Sequence, residues 1–270
     1  MSNPGTARMI MVGCLAGALT GCGVLGELTA DQAVITASQP FRGSPSEKFA
    51  EGVDGIVVPE ARPVKHFSTR DVRSAFLTSR RMLRAAHLDR QTLLGGRPDA
   101  FAEQLDPQQR KDFLRNLDHK VQDKNTRAWV TSFAPGSAEL VGDVVKVQGK
   151  LAAESGADEN GRPELWVNYE ARFVYALRPA GKHSPIVRVM VFVKARHEFW
   201  RDEPGARLRN WDGESTEFWS AGTECDSPDG FLRPDYTGEG GGGGGGQVDD
   251  AYDDKAAPLK DGECGTVDEI

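Results

Sequence analysis

The sequence predicts an α+β domain: N-terminal helices packed on a curved antiparallel sheet of about four long strands. Three observations carry this. Residues 68–88 place apolar side chains at helical spacing. Residues 140–200 then hold three runs in which apolar and polar residues alternate, the pattern of strands buried on one face. Short turn-forming segments join these runs, and helices followed by hairpin-connected strands is the α+β order.

The first helix starts at Ser68, whose hydroxyl suits an N-cap and has Asp71 three residues on to complete a capping box. Val72, Phe76, Leu83 and Ala86 fall near one face, widened by Leu77 and Met82, and the helix is expected to end by Leu88-Asp89. Arg70, Arg73, Arg80, Arg81 and Arg84 decorate the rest and read as a solvated helix face. His87, near the C-terminal end, reads as a cap that favours that terminus. A second helical segment runs from Pro98, which suits a first helical position, to Leu105. Asp106 then caps a third, with Pro107 at its first position and Phe113, Leu114 and Leu117 following.

The strands come next. Leu140–Leu151 puts Val141, Val145, Val147 and Leu151 on one face. Leu165–Leu177 gives the clearest alternation, from Leu165 and Val167 through Tyr169, Phe173 and Tyr175 to Leu177. Ile186–Trp200 carries Val187, Val189, Val191, Val193, Ala195 and Phe199 on one face, with Met190 and Phe192 on the other. A fourth strand lies within Arg207–Trp219, broken around Asp212-Gly213.

Flanking segments have a different character. Residues 1–21 run from a polar start with one base, Arg8, through the apolar stretch Met9–Leu19, the layout of a signal peptide. Eleven residues at about 1.5 Å each cover only about half of a ~30 Å hydrocarbon core, too little for a permanent span. The exit Leu19-Thr20-Gly21-Cys22 resembles the lipobox of bacterial lipoproteins. The resemblance implies a diacylglyceryl group on Cys22, cleavage after Gly21, and residence on the outer face of the cell membrane. Cys14, after Met11-Val12-Gly13, follows too short an apolar stretch to compete. Residues 22–45 then read as lipid anchor and tether, and residues 46–236 as a single domain in which Ile56-Val57-Val58 packs.

Residues 237–270 hold seven consecutive glycines, Gly240–Gly246, with nine acids and two bases, which is the whole of the chain's formal −7. This composition reads as a largely disordered tail. The remaining chain is formally neutral and offers no nucleic-acid footprint. Cys225 and Cys264 are a candidate disulfide of an exported protein.

Chemistry-bearing patterns are sparse. His66, His87, His119, His183 and His197 show no helical metal spacing, and no nucleophile elbow, phosphate loop or dinucleotide fingerprint occurs. No metal, cofactor or catalytic residue is assigned. Trp166, Phe192 and His197 are candidates for lining a concave pocket, with Trp200, Trp211 and Trp219 near the fourth strand.

The helix-then-strand order over 68–220 resembles the nuclear-transport-factor-2-like (cystatin-like) α+β fold, which implies a cone-shaped pocket between helix and bent sheet. A second resemblance rests on Gly55-Ile56-Val57-Val58-Pro59, Ala86–Leu93, Gly95-Gly96-Arg97-Pro98 with Phe101, Leu105-Asp106-Pro107 and Asp229-Gly230-Phe231-Leu232-Arg233-Pro234. These segments resemble uncharacterised envelope lipoproteins of actinomycetes. The expectation is a non-catalytic lipoprotein, attached to the membrane and binding an envelope protein or a small apolar ligand. The alternatives are an extracytoplasmic enzyme using His197 and a structural or stress-linked envelope protein.

Overall fold

The computed structural model of the chain describes residues 35–224 and 228–237, with Tyr252 and Ile270, the side chains of 214–216 excepted. Cys22, Cys225, Cys264 and the glycine run lie outside the described residues. Two short strands, β1 (Ala50–Glu51) and β2 (Ile56–Val57), precede four helices: α1 (Thr69–His87), α2 (Arg90–Leu93), α3 (Asp99–Ala102) and α4 (Pro107–Asn116). The long strands β3 (Glu139–Ala157), β4 (Pro163–Arg178), β5 (Val187–Trp200) and β6 (Arg209–Ala221) follow. The architecture is α+β, with a helix packed against an open antiparallel sheet. β3 to β6 form a meander, and the sheet is larger than that meander, because β1 and β2 both pair with β3, β2 in parallel. Among the described residues no helix is long and apolar enough to cross a membrane.

The capping box at α1 forms as the sequence predicts. Ser68 N donates to Asp71 Oδ2 at 2.9 Å, and Asp71 N donates to Ser68 Oγ at 3.4 Å. Helical periodicity then gives α1 two buried faces. Val72, Ala75, Phe76 and Leu83 pack on the sheet with Val167, Phe173, Tyr175 and Val191. Met82, Ala85 and Ala86 pack with Phe101 and Phe113 of α3 and α4. Leu77, expected to widen the core face, is instead 44% exposed, because its helical rotation places it among the arginines. Pro98 precedes α3 rather than opening it, and α3 is shorter than expected. The chain must leave helical geometry before Pro107, where Asp106 Oδ1 accepts from Gln108 N at 3.1 Å to cap α4.

The strand faces follow the alternation, with one correction. Val141 does not share the face of Val145 and Val147. A bulge between Leu140 and Val145, where Gly142 adopts φ +77°, turns Val141 to the opposite face. That outer face carries a second cluster of Phe41, Val141, Val174, Ala176, Met190 and Ala221, with Phe49, Tyr252 and Ile270 against it. Phe41, placed by sequence in the tether, is therefore 5% exposed and part of the domain. Arg188 fastens this layer by donating to the carbonyls of Pro40, Arg42 and Ile270.

Arg127 ties the helical layer to the C-terminal segment. Its side chain is 2% exposed. Nε and Nη2 donate to both carboxylate oxygens of Asp118 at 2.8 and 3.0 Å, Nη1 donates to Gly96 O at 2.8 Å, and the Phe231 ring lies 4.6 Å away. Ser132 Oγ donates to Thr92 O, and Leu232 N donates to Ser132 O. The segments around Gly95-Gly96 and Asp229–Pro234 thus meet at one guanidinium. Arg127→Ala leaves these acceptors unpaired around a void. Urea unfolding is expected to show a loss of about 2–4 kcal/mol, whereas Arg97→Ala, which removes an exposed ion pair, changes stability by less than about 1 kcal/mol.

Candidate functional site

His197 sits on the helix-facing side of β5, directly opposite Val167 of β4. Its partner on β6 is set by irregular pairing. The register shifts between Lys194 and Ala195 and again between Ala195 and His197, so β6 carries two extra residues and Asp212 arrives opposite His197. Gly213 permits this. A Cβ there would lie 2.7 Å from Arg196 O.

The result is a compact polar cluster inside the domain. His197 Nε2 lies 3.3 Å from Asp212 Oδ1, and the imidazole packs on the Tyr169 ring with centroids 4.6 Å apart. Burial raises the Tyr169 pKa, and the Asp212 charge adds to the rise. Gln109 of α4 fixes Asp212 through the backbone: Nε2 donates to Asp212 O at 2.8 Å, and Asp212 N donates to Oε1 at 2.9 Å. Among the described residues, the buried His197 Nδ1 has no hydrogen-bond partner.

A second histidine faces the same interior. His87 Nδ1 is 2.8 Å from Thr131 Oγ1, and its ring stacks on Phe173 at 4.6 Å. Burial, assisted by His197, pulls the His87 pKa down to about 3. The ring is therefore neutral at physiological pH and does not serve the helix terminus as a cation, correcting the sequence reading. The terminus is satisfied otherwise, by Tyr175 Oη donating to His87 O at 2.9 Å.

Trp166, Phe192 and His197 do not line one pocket. Strand alternation puts Trp166 and Phe192 on the outer face and His197 on the inner one. Phe192 is buried by stacking on Trp219 at 5.1 Å and by the Arg172 guanidinium 5.0 Å away. Trp166 lies about six residues along, roughly 20 Å from Phe192. There the outer face is polar and aromatic. Arg196 stacks 4.1 Å above the Trp166 ring, and Trp166 Nε1 donates to Glu164 at 2.8 Å. A side chain at Gly156 would collide with the indole. Trp166 and Trp211 flank Glu198 across the strands, and Trp200 stands opposite Arg209; all three indoles are partly exposed. The described residues that cover the outer face, Phe41, Phe49, Tyr252 and Ile270, pack at its other end, around Val174 and Met190.

A histidine held by a carboxylate can move protons once a substrate reaches it. Here the imidazole is 1% exposed, and its neighbours join β5 and β6 to α4. Among the described residues no group of three or more metal-ligating side chains gathers. Of this cluster the sequence pointed to His197 and to the irregularity at Asp212-Gly213. Tyr169 read as an ordinary core position, and Gln109 carried no signal. Comparison with protein-family models, with curated proteins and with solved structures finds no match to this chain.

His87 gives the fold a pH dependence. Its folded pKa lies below the ordinary 6.5, so the unfolded chain binds the extra proton and stability falls as pH drops below about 6.5, until about 3. Relative to His87→Gln, the native chain is expected to lose about 1.4 kcal/mol per pH unit between pH 6 and 5 in urea unfolding.

Proposed function

We propose that the chain is an exported envelope lipoprotein, lipid-anchored to the outer face of the cell membrane through Cys22. In this reading the α+β domain binds a ligand or protein partner and performs no catalysis. The observation that supports it is the contrast between the two faces of the sheet. The one histidine–carboxylate pair singled out above is closed off, with His197 1% exposed. The outer face presents Trp166, Trp200 and Trp211 among arginines and glutamates, a composition suited to interfaces. The partner is an envelope protein or a small ligand with an apolar face. The helix-then-strand order agrees with a nuclear-transport-factor-2-like arrangement, and export agrees with a Cys225–Cys264 disulfide.

The partnerless Nδ1 of His197 favours a second reading, an acid–base enzyme whose interior opens between α4 and β6. The two readings separate by substitution. In a crosslinking and co-purification experiment on the native lipoprotein, Trp166→Ala with Trp211→Ala is expected to deplete the captured partner, whereas His197→Gln leaves capture unchanged. The reverse result favours the enzyme. For the anchor, Cys22→Ala is expected to move the protein from the membrane to the soluble fraction; retention on membranes refutes lipid attachment.

A further inference from the structure

The arginines of α1 divide into two kinds. Arg80 is committed to the fold: it donates to Val53 O at 2.9 Å and pairs with Asp54 at 3.0 Å. Arg70, Arg73, Arg81 and Arg84 lie on a neighbouring stripe at helical spacing, all exposed. Among the described residues none of these four has a carboxylate partner, although ion pairs are common elsewhere on the surface. The stripe extends about 21 Å as two pairs, Arg70 with Arg73 and Arg81 with Arg84, each about 4.5 Å apart along the axis, with about 12 Å between the pairs.

At its C-terminal end the stripe runs into a recess of about 410 Å³ between α1, α2 and α3. Arg81, Arg84 and Arg90 wall it, Leu88 contributes to its lining, and the carboxylates of Asp89 and Glu103 stand among the walls with Gln104. Asp89 Oδ2 is engaged by Thr92 N and Oγ1, and Arg90 pairs with Asp143 at 3.2 Å, an exposed contact that a phosphate would have to replace. Residues 1–236 are formally neutral. This face is therefore locally positive on an otherwise neutral body.

Guanidinium forks match phosphate oxygens two at a time, and successive forks along one helix face can engage successive phosphates of one chain. We propose that the α1 stripe and its recess bind a phosphodiester-linked polyol polymer, the recess holding one phosphate through Arg81, Arg84 and Arg90. Gln104 and Glu103 are placed to take neighbouring hydroxyl groups. The proposal rests on the reading of the chain as an exported envelope protein, since that is where it would meet such a polymer. A polymer is favoured over the bilayer by the fold itself. The chain enters the domain through Pro40–Phe49, which pack on the sheet face opposite α1, so the stripe points away from the side where the tether joins. Leu77, exposed midway along the stripe, is the one feature that would suit a bilayer.

The test uses the full chain carrying Cys22→Ala, purified without lipid. It is titrated with a fluorescent poly(glycerol phosphate) of about ten units, with glycerol phosphate, and with phosphatidylglycerol vesicles. Three neutralised phosphates, one in the recess and two at Arg70 and Arg73, predict a fall in polymer affinity of roughly twenty-fold between 50 and 200 mM salt. Arg81→Gln, Arg84→Gln and Arg90→Gln together are expected to weaken polymer binding at least tenfold with an unchanged unfolding midpoint. Arg97→Gln with Arg115→Gln, exposed arginines off the stripe, leave it unchanged. Equal affinity of the triple variant, an affinity insensitive to salt, or tighter binding to the vesicles than to the polymer overturns the proposal. Membrane retention of Cys22→Ala would refute the anchor without altering this titration, so the two failures are distinguishable.

Discussion

A guanidinium closed off from water must find its acceptors inside the protein, and Arg127 obliges separate stretches of chain to supply them. Gly96 brings the turn between α2 and α3, Asp118 the loop after α4, and Phe231 the segment that follows the sheet. Asn125 adds a link, with Nδ2 donating to Asp229 O at 2.8 Å. The core formed by α1 and the sheet is apolar and non-directional, so it tolerates small displacements of the elements packed on it. The hydrogen bonds of Arg127 do not. They fix where the short helices stop and where the chain lies after β6.

Legibility in the sequence followed the range of the interactions. The cap of α1, the start of α4 and the alternation of β4 depend on residues a few positions apart, and each was visible. The faces of β3 and β6 depend on bulges, which arise from how one strand meets its neighbour. The bulge at Gly142 sends Val141 to the other side, and those in β6 bring Asp212 rather than a residue two positions later to His197. Asp212-Gly213 was visible as a break, but its partner was not. The supposed pocket of Trp166, Phe192 and His197 failed for a simpler reason. Their positions already assigned them to opposite faces, and nothing in the sheet brings those faces together.

The two layers on the sheet consequently differ in chemistry. Inside, ionisable groups are shifted toward their neutral forms, as His87 and Tyr169 illustrate. Outside, guanidinium groups are laid against aromatic rings, as in Arg196 over Trp166 and Arg172 over Phe192. The first environment holds its members in fixed relations. The second keeps some polar atoms, such as the Arg196 guanidinium, within reach of solvent.

The bonds between Gln109 and Asp212 have a consequence for the molecule in company. β6 is the last strand of the meander, and the main-chain groups on its open side are the template on which a second chain would pair. One carboxamide, offering a donor and an acceptor at the spacing of a peptide group, occupies that template at Asp212. On the other flank β1 and β2 occupy the free side of β3. At each margin part of the open edge is thus occupied. Crowded copies of the domain have that much less edge by which to extend one another into a fibre.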